Sequence, residues 1–343
     1  MARDLPEGFR DSDAYYHLIL ERVPPRAEPA FDAPAMQERV WGRRWGVFND
    51  VGRLRLVAVH RPGDEIRVID MNRFDPSIGA YIDDEQQWYW RDSSGPDLAR
   101  MQQEHDGLVA VLRDEGVEVV YNDAPARDCH AIFQRDTAIV LRGGAVVCRM
   151  GLVSKGQDYG RRGEELYATR LLAGLGMPIL LTIQGTGLLE GGSFALLNET
   201  TAAVGMAPRQ NESGVRQLEH VLDEQGIRLI RVPLTGFAMH LDGAFMMVDH
   251  DKALINIPQL PYWFLDTLKD LGIQAIPIWP TDRRAINCLA VRPGRVIMVS
   301  GCPRTVERLN AAGIETVEIP YDEVLKNGGG VHCSTLPLVR DRD

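Results

Sequence analysis

The chain has 343 residues, of which 45% are hydrophobic and 25% charged, a composition typical of a globular protein with a substantial core. Its net charge of −10 argues against a protein that coats nucleic acid or anionic lipid, but a cationic small substrate remains compatible with it. No apolar run approaches the ~18 residues of a membrane span, and the first residues lack a signal-peptide pattern. We therefore expect a cytoplasmic protein.

The predicted elements recur in chain order as strand, turn, strand, amphipathic helix ending in Gly, and strand. In the first unit, LRLVAVHRPG from Leu54 is the opening strand and turn, an insertion extends through Trp90, and QQEHDGLVAVLRDEG and VEVVY supply the helix and closing strand. The later units begin at Asp136, Gly192, Gly243 and Cys288. Their helices are expected to end at Gly174 or Gly176, Gly226, Gly272 and Gly313.

Units that recur at roughly 50 residues are typical of propellers and solenoids. We predict an α/β fold in which five units close into one pseudo-symmetric propeller. Residues 1–343 would form a single catalytic domain, with an irregular extension at about 1–50. A two-domain α/β protein with generic strand-helix-strand units remains the alternative.

Polar candidates lie in the loops that follow the closing strands, where a ring brings chain segments together near its axis. These candidates are Asp136, Glu190, His240, Asp242 and Cys333. Two glycines after Glu190 allow a close backbone approach or a positive φ. Only the loop PTDRRAIN, after the fourth closing strand, contains no obvious catalytic candidate.

Cysteine and histidine together favour covalent catalysis on a trigonal carbon, because a thiolate is a strong nucleophile and an imidazole moves protons near neutral pH. Three carboxylates in one cavity repel each other unless the ligand is cationic, and a planar guanidinium matches them. Taken alone, each residue has a structural alternative: an interior histidine at 240, a turn residue at 190, a hairpin cap at 136 and an inert thiol at 333.

The five cysteines are too scattered for a disulfide framework or a structural zinc site, and most are expected to be buried apolar side chains. They are Cys129, Cys148, Cys288, Cys302 and Cys333. His332 beside Cys333 suggests a metal pair, but adjacent residues of a strand face opposite sides, so we predict neither a metal site nor a cofactor. The EGGS and GGG stretches lack the context of a phosphate-binding loop.

Several motifs resemble those of the guanidino-group modifying superfamily, whose members share a five-bladed α/β propeller (the pentein fold) and include arginine deiminases, dimethylarginine dimethylaminohydrolases, agmatine deiminases and amidinotransferases. The matching stretches extend over nearly the whole chain. They are VHRPGDE, EHDGLVAVLRDEGVEVVY, FQRD, LLEGGS, HLD and GGGVHCST. The first two are most similar to arginine deiminases.

The resemblance implies that Cys333 is the nucleophile and His240 the general acid and base, with Asp136 and Asp242 clamping the guanidinium. Glu190 would hold both the guanidinium and the histidine. A thiouronium-type intermediate would then be released by water in a hydrolase, or by an acceptor amine in an amidinotransferase.

The predicted substrate-binding residues are Phe133, Arg161, Arg209 and His130. The resemblance places both arginines near positions that bind a substrate carboxylate, and a solvated helix start is the alternative for them. His130 stands where arginine deiminases have Asn, and Ser193 where they usually have Asp. The chain also looks too short for their extra helical module. The aromatic cluster 88–90 belongs either to a lid or substrate-tail pocket, or to a packing patch that anchors the insertion.

We therefore predict a hydrolase that acts on the guanidino group of a free small molecule such as arginine or a substituted arginine. An amidinotransferase is the alternative, and a non-catalytic guanidino-ligand sensor is a third possibility. The expected partner is a cationic guanidino compound rather than nucleic acid or a membrane. The sequence does not decide whether identical chains assemble into a homo-oligomer.

Overall fold

The computed structural model describes residues 6–24, 29–124, 128–151, 161–235 and 238–343. The stretch before the first strand, expected to be irregular, contains two short helices, α1 (Asp13–Arg22) and α2 (Pro34–Trp41). The first strand is β1 (Leu54–Val59), which is followed by helix α3 (Leu98–Asp114). Between β1 and α3, an antiparallel insertion sheet consists of β2 (Phe74–Asp75), β3 (Ala80–Asp83) and β4 (Trp88–Trp90), and β5 (Glu118–Tyr121) follows α3.

Four further units repeat the order strand, strand, helix, strand. The second blade consists of β6 (Ala138–Leu141), β7 (Gly144–Val147), α4 (Glu164–Gly174) and β8 (Ile179–Thr182). The third consists of β9 (Phe194–Asn198), β10 (Thr201–Met206), α5 (Glu212–Glu224) and β11 (Arg228–Pro233). The fourth consists of β12 (Phe245–Asp249), β13 (Lys252–Ile255), α6 (Tyr262–Asp270) and β14 (Gln274–Pro277). The fifth consists of β15 (Leu289–Arg292), β16 (Arg295–Val299), α7 (Pro303–Ala311) and β17 (Glu315–Ile319). The short helix α8 (Asp322–Lys326) and the strand β18 (Leu336–Arg340) complete the chain's elements.

Each of these four blades is a three-stranded sheet in which an antiparallel hairpin is extended by a parallel strand. The helix makes the crossover to that parallel strand, as such connections require. The first strands of successive blades pack beside one another around the axis, with β12 touching both β9 and β15. The prediction of a five-bladed α/β ring is confirmed.

The first blade is built from both ends of the chain, which the sequence prediction missed. Strand β1 pairs in parallel with β5 and antiparallel with β18, so β1 is the middle strand of its sheet. The position that we predicted for β1 is occupied by β18, and β18 also packs against β6 of the second blade. The ring is therefore closed by pairing between segments about 280 residues apart, for example Ala58 with Leu336.

Glycines end the five outer helices, as the repeat predicted. Each lies in the left-handed region, with φ between 67° and 83°, which side chains with a Cβ rarely adopt. These glycines are Gly116, Gly176, Gly226, Gly272 and Gly313. The next residue then donates its N–H back into the helix, as Ile227 does to the carbonyl of Leu222 at 2.9 Å. For the second blade this selects Gly176 over Gly174 as the stop.

Candidate active site

Five turns carry polar side chains to one end of the ring, and each turn comes directly before the first strand of a blade. The turns before β6, β9, β12 and β15 are short 3-10 helices at Gln134–Thr137, Gly191–Ser193, Leu241–Gly243 and Arg283–Ile286, and a tight turn at residues 331–334 precedes β18. Because those first strands surround the axis, side chains at the turns converge. All five predicted catalytic side chains lie there: Asp136, Glu190, His240, Asp242 and Cys333.

Glycines let these turns approach one another more closely than other residues would. A Cβ on Gly192 would lie 2.6 Å from Oδ1 of Asp136 and 3.0 Å from Nδ1 of His240. A Cβ on Gly329 would lie 2.7 Å from the Phe133 ring and 2.9 Å from the Cβ of Cys333. The close-approach interpretation of the two glycines after Glu190 is therefore confirmed, and Gly329 adds a second close approach that was not predicted.

His240 lies between two carboxylates. Its Nε2 is 2.6 Å from Oε2 of Glu190, and its Nδ1 is 3.5 Å from Oδ1 of Asp136. Burial disfavours the charged imidazole, but the charge of Asp136 and the hydrogen bond with Glu190 outweigh it and raise the pKa of His240 to about 9. Burial opposes ionisation of Glu190 too, yet the histidine lowers the pKa of that carboxyl far below its usual range. At neutral pH the site holds an imidazolium ready to donate a proton.

The Cys333 thiol lies against a carboxylate and an amide. Its Sγ is 3.3 Å from Oδ2 of Asp242 and 3.1 Å from Nδ2 of Asn287. Burial, together with the charges of Asp242 and Asp136, raises the pKa of the thiol well above its usual value. In the absence of a cation, this cysteine is therefore protonated at neutral pH.

Asn287 is the site residue that the sequence prediction overlooked. It lies at the end of the PTDRRAIN loop, where its Nδ2 donates to the Cys333 sulfur and its Oδ1 accepts the Cys333 backbone N–H at 3.1 Å. Its position in the repeat could have identified it, because Asn287 and Asp136 each stand two residues before the first strand of their blades. An amide at that position holds Cys333 through both its backbone and its sulfur.

His332 corrects a second expectation. Strand alternation should have placed it opposite Cys333, but both residues lie in a turn, and Nδ1 of His332 is 2.9 Å from the same Asp242 oxygen that contacts the sulfur. Burial, with the nearby Arg135, lowers the pKa of His332, so a neutral ring donates to Asp242. Although burial opposes it, this hydrogen bond lowers the pKa of Asp242.

Another group of side chains has the chemistry of a metal site. Asp136, Glu190 and His240 offer ligand atoms within 4.8 Å of one another. Those atoms already bind each other, and the two carboxylates also bind the guanidinium groups of Arg161 and Arg209. The grouping therefore suits a guanidinium as well as a metal ion.

The two arginines predicted to bind a carboxylate are placed at the site rather than on a solvated face. Arg161 is buried and contacts both carboxylate oxygens of Glu164, at 2.5 and 2.9 Å, as well as Asp136. Arg209 lies 3.3 Å from Oε1 of Glu190. Both positive charges are therefore compensated by carboxylates of the chain itself.

Two cavities meet at Cys333, and five residues line both: Met239, His240, Gly328, Gly329 and Cys333. The inner chamber, of about 40 Å³, is otherwise lined by Tyr89, His130, Phe133, Asp136, Arg161 and Arg209. The outer chamber, of about 350 Å³, is otherwise lined by Arg91, Ala238, Asp242, Gly243, Asn256, Gln259, Arg283, Arg284, Ile286, Asn287, Leu325 and Gly330. All four predicted substrate-binding residues line the inner chamber.

The aromatic cluster divides between its two predicted roles. Trp88 and Trp90 are buried and anchor the insertion sheet, whereas Tyr89 between them lines the inner chamber. The Tyr89 ring lies 4.7 Å from the ring of His130, centroid to centroid. Burial lowers the pKa of His130 to about 3, so this ring is a neutral aromatic wall. Ser193 is buried behind the site, and no hydrogen-bond partner for its Oγ lies in the described part of the chain.

No helix among the described residues combines the length and apolarity needed to cross a membrane. Within the same residues all five cysteines are free and buried. A family model described as N,N dimethylarginine dimethylhydrolase, eukaryotic, matches residues 73–340.

Known proteins similar to this chain carry several activities. A 2-nitroimidazole nitrohydrolase from Mycobacterium sp. (strain JS330) is 24% identical, covering 98% of this chain and 91% of that protein. A dimethylarginine dimethylaminohydrolase from Pseudomonas aeruginosa is 25% identical, covering 70% of this chain and 89% of that protein. Arginine deiminases and amidinotransferases also match.

A solved structure of the Pseudomonas aeruginosa dimethylarginine dimethylaminohydrolase, complexed with citrulline, has the same fold. The TM-score is 0.66 at 22% identity, and the match covers 83% of this chain and 99% of that one. With the family model matching well over half of the residues, the chain belongs to the dimethylarginine dimethylaminohydrolase family of the guanidino-group modifying superfamily.

Proposed function

We propose that the chain is a hydrolase acting on the guanidino group of a small molecule such as arginine or a substituted arginine, with Cys333 as nucleophile. One observation carries the proposal. Cys333 and His240 line the same two chambers, with the thiol against Asp242 and the imidazole held between Glu190 and Asp136. Nucleophile, proton donor and cation-binding carboxylates thus surround one space.

Binding of the substrate would activate the thiol. The carboxylates that raise the pKa of Cys333 are the ones that a guanidinium would contact, so its positive charge would offset their effect. The thiol then releases its proton to solvent, and the thiolate attacks the central guanidinium carbon. Asn287 steadies the sulfur through its Nδ2 group.

His240 would serve both halves of the reaction. In the first half it donates its proton to the departing nitrogen, the C–N bond breaks, and ammonia or an amine leaves a thiouronium joined to Cys333. In the second half the now neutral His240 takes a proton from water, and the oxygen attacks the same carbon. The C–S bond then breaks, which restores the thiolate and releases a ureido product.

The proposal is tested by incubating the protein with arginine, N-methylated arginines and agmatine, and measuring released amine or ammonia and ureido product. We expect turnover of at least one compound, and about 10⁴-fold or more loss in Cys333→Ala. Cys302→Ala is the matched control, because Cys302 lies outside both chambers. Rapid quenching and intact-mass measurement should detect the adduct on wild type and on Cys302→Ala, but not on Cys333→Ala.

Other outcomes would identify other functions. Product formation that requires an added amine would identify an amidinotransferase. Ligand binding without adduct or turnover across the panel would contradict catalysis and favour a sensor.

A second candidate keeps the nucleophile and changes the leaving group. The relative named as a 2-nitroimidazole nitrohydrolase matches 98% of this chain, against 70% for the Pseudomonas aeruginosa enzyme. Carbon 2 of a 2-nitroimidazole is bonded to three nitrogens, two of the ring and one of the nitro group, as the guanidinium carbon is bonded to three. The rings of Tyr89, His130 and Phe133 suit a planar heterocycle. Attack of the Cys333 thiolate on carbon 2 would expel nitrite and leave a thioether; water would then attack the same carbon, break the C–S bond and release an imidazolone and the thiolate. Nitrite release from 2-nitroimidazole would decide for this candidate.

A further inference from the structure

The outer chamber differs from the inner one in leaving positive charge uncompensated. Within the described ranges, the Arg283 side chain has no carboxylate or other hydrogen-bond partner, and the Arg91 guanidinium donates only to the backbone carbonyl of Leu325. The third arginine there, Arg284, is paired with Asp322 at 2.7 Å. Asp242, the one carboxylate among the described residues that line this chamber, is bound to His332. An anionic group is therefore favoured at Arg283 and Arg91.

Arg283 also stands where the outer chamber continues into a groove. A neighbouring cavity of about 530 Å³, between the fourth and fifth blades, shares Asn256, Gln259 and Arg283 with the outer chamber. Its remaining walls are largely apolar: Ile257, Pro258, Pro277, Ile278 and Pro280, with Arg308 at one side. Ile257 is 46% exposed, so apolar surface at this groove is open to a ligand.

The Arg308 guanidinium binds groups of the protein at one side of this groove. Its Nη1 donates to the carbonyl of Pro277 at 2.9 Å, and its guanidinium lies 4.7 Å from the centre of the Trp279 ring. The order of environments outward from Cys333 is thus carboxylates and imidazolium, then unpaired arginines, then an apolar groove. A ligand that matches all three has a cationic head, an anionic middle and an apolar tail.

We propose that the substrate is such a molecule: a guanidino acid whose carboxylate binds Arg283 and Arg91 and whose acyl tail lies in the groove between the fourth and fifth blades. Nα-acylated arginines have this arrangement. The proposal rests on the proposed guanidino hydrolysis and names the substrate class of that same site. It moves carboxylate binding from Arg161 and Arg209, which are paired with carboxylates, to arginines that are not.

The test uses the full chain and measures steady-state kinetics with arginine, Nα-acetyl-, Nα-butanoyl- and Nα-hexanoyl-arginine, and the carboxamide of each. We expect KM to fall about two- to fourfold per added methylene until the groove is filled. The acids should have KM values about three- to fivefold below those of their carboxamides. Arg283→Ala should remove that acid-amide difference, and Arg283→Lys should retain part of it.

Arg216→Ala, on the outer face of α5, is the matched control and should leave both trends unchanged. If arginine is turned over but KM does not depend on acyl length, and acids and amides behave alike in wild type, the substrate class is wrong while guanidino hydrolysis stands. If neither these compounds nor the N-methylated arginines and agmatine of the first panel are turned over, the proposed function itself fails. The chain-length series needs only wild-type protein, so it decides the matter even if Arg283→Ala does not fold.

Discussion

The two chambers that meet at Cys333 treat charge and space in opposite ways. In the inner chamber every charged group has a partner of opposite sign within the chain, and only about 40 Å³ is open. The outer chamber is about 350 Å³, and two of its arginines, Arg91 and Arg283, have no carboxylate partner among the described residues. A small chamber whose charges are all paired suits one planar reacting group. A larger chamber with unpaired positive charge suits the rest of the substrate, which differs from one guanidino compound to another. We therefore expect inner-chamber changes to act mainly on kcat and outer-chamber changes mainly on KM.

After Cys333→Ala, the largest effect should come from Glu190→Gln, which weakens the carboxylate pair around His240. We expect kcat to fall about 100-fold, because general acid catalysis depends on a held and protonated imidazole. Wild-type kcat should decline as pH rises through about 9, the pKa of His240, and the decline should move to lower pH in the variant. Glu219→Gln, which removes another arginine-paired carboxylate on the surface, is the control. An unshifted alkaline limb would contradict this assignment.

The same raised pKa predicts how stability depends on pH. Because the folded state holds the His240 proton more tightly than a free histidine with its pKa of 6.5, the stabilisation is fully present below pH 6.5. It is lost as pH rises through about 9. Denaturant unfolding at a series of pH values should therefore show a weaker pH dependence over this interval in Glu190→Gln than in wild type.

Asn287→Ala tests the boundary between the chambers and should have an intermediate effect. Loss of the bonds to the sulfur and to the Cys333 N–H should slow adduct formation about 10- to 100-fold. Asn287→Asp should slow it further near neutral pH, since a second carboxylate beside the thiol raises its pKa again. Alkylation of Cys333 by iodoacetamide across pH, followed by mass spectrometry, measures both. Equal rates in wild type and both variants would remove Asn287 from the site; Asn310→Ala is the surface control.

The smallest change in activity should come from Tyr89→Ala, which removes one aromatic wall of the inner chamber. We expect kcat/KM to fall about three- to tenfold, with little change in the free energy of unfolding. Trp90→Ala should instead destabilise the fold: because Trp90 is fully buried, we expect the free energy of unfolding to fall by about 3–5 kcal/mol. Tyr262→Ala, exposed on α6, should affect neither quantity. If Tyr89→Ala unfolds the protein as readily as Trp90→Ala, the tyrosine belongs to the packing patch.

Much of the ring was accessible from the sequence because its signals are local. The end of a helix at Gly226 or Gly313 is predicted by a single residue, because glycine readily adopts the left-handed conformation found there. Four such glycines at a regular spacing define the repeat. The candidate side chains could be found because they occur at matching places in that repeat. Nucleophilic and acidic residues also have distinctive chemistry.

Two features could not be predicted from the sequence: which distant strands pair with each other, and where side chains point in turns. The strand alternation of β1 is the same whether it is the first or the middle strand of a sheet, and only its partner β18 distinguishes the two. Asn287 has no chemical signature of its own, since amides occur in turns of every kind. His332 was misjudged because strand alternation does not hold in the turn before β18.

Closure of the first blade ties chemical competence to the completion of folding. Cys333 stands three residues before β18, and β18 is held in place by β1, which lies about 280 residues earlier in the chain. Until those two strands join, Cys333 has no fixed position beside Asp242 and Asn287, which come from the fourth and fifth blades. In an incompletely folded chain, Cys333 would thus be a thiol without these neighbours. The fraction of molecules that substrate labels covalently would therefore measure the fraction in which the ring has closed.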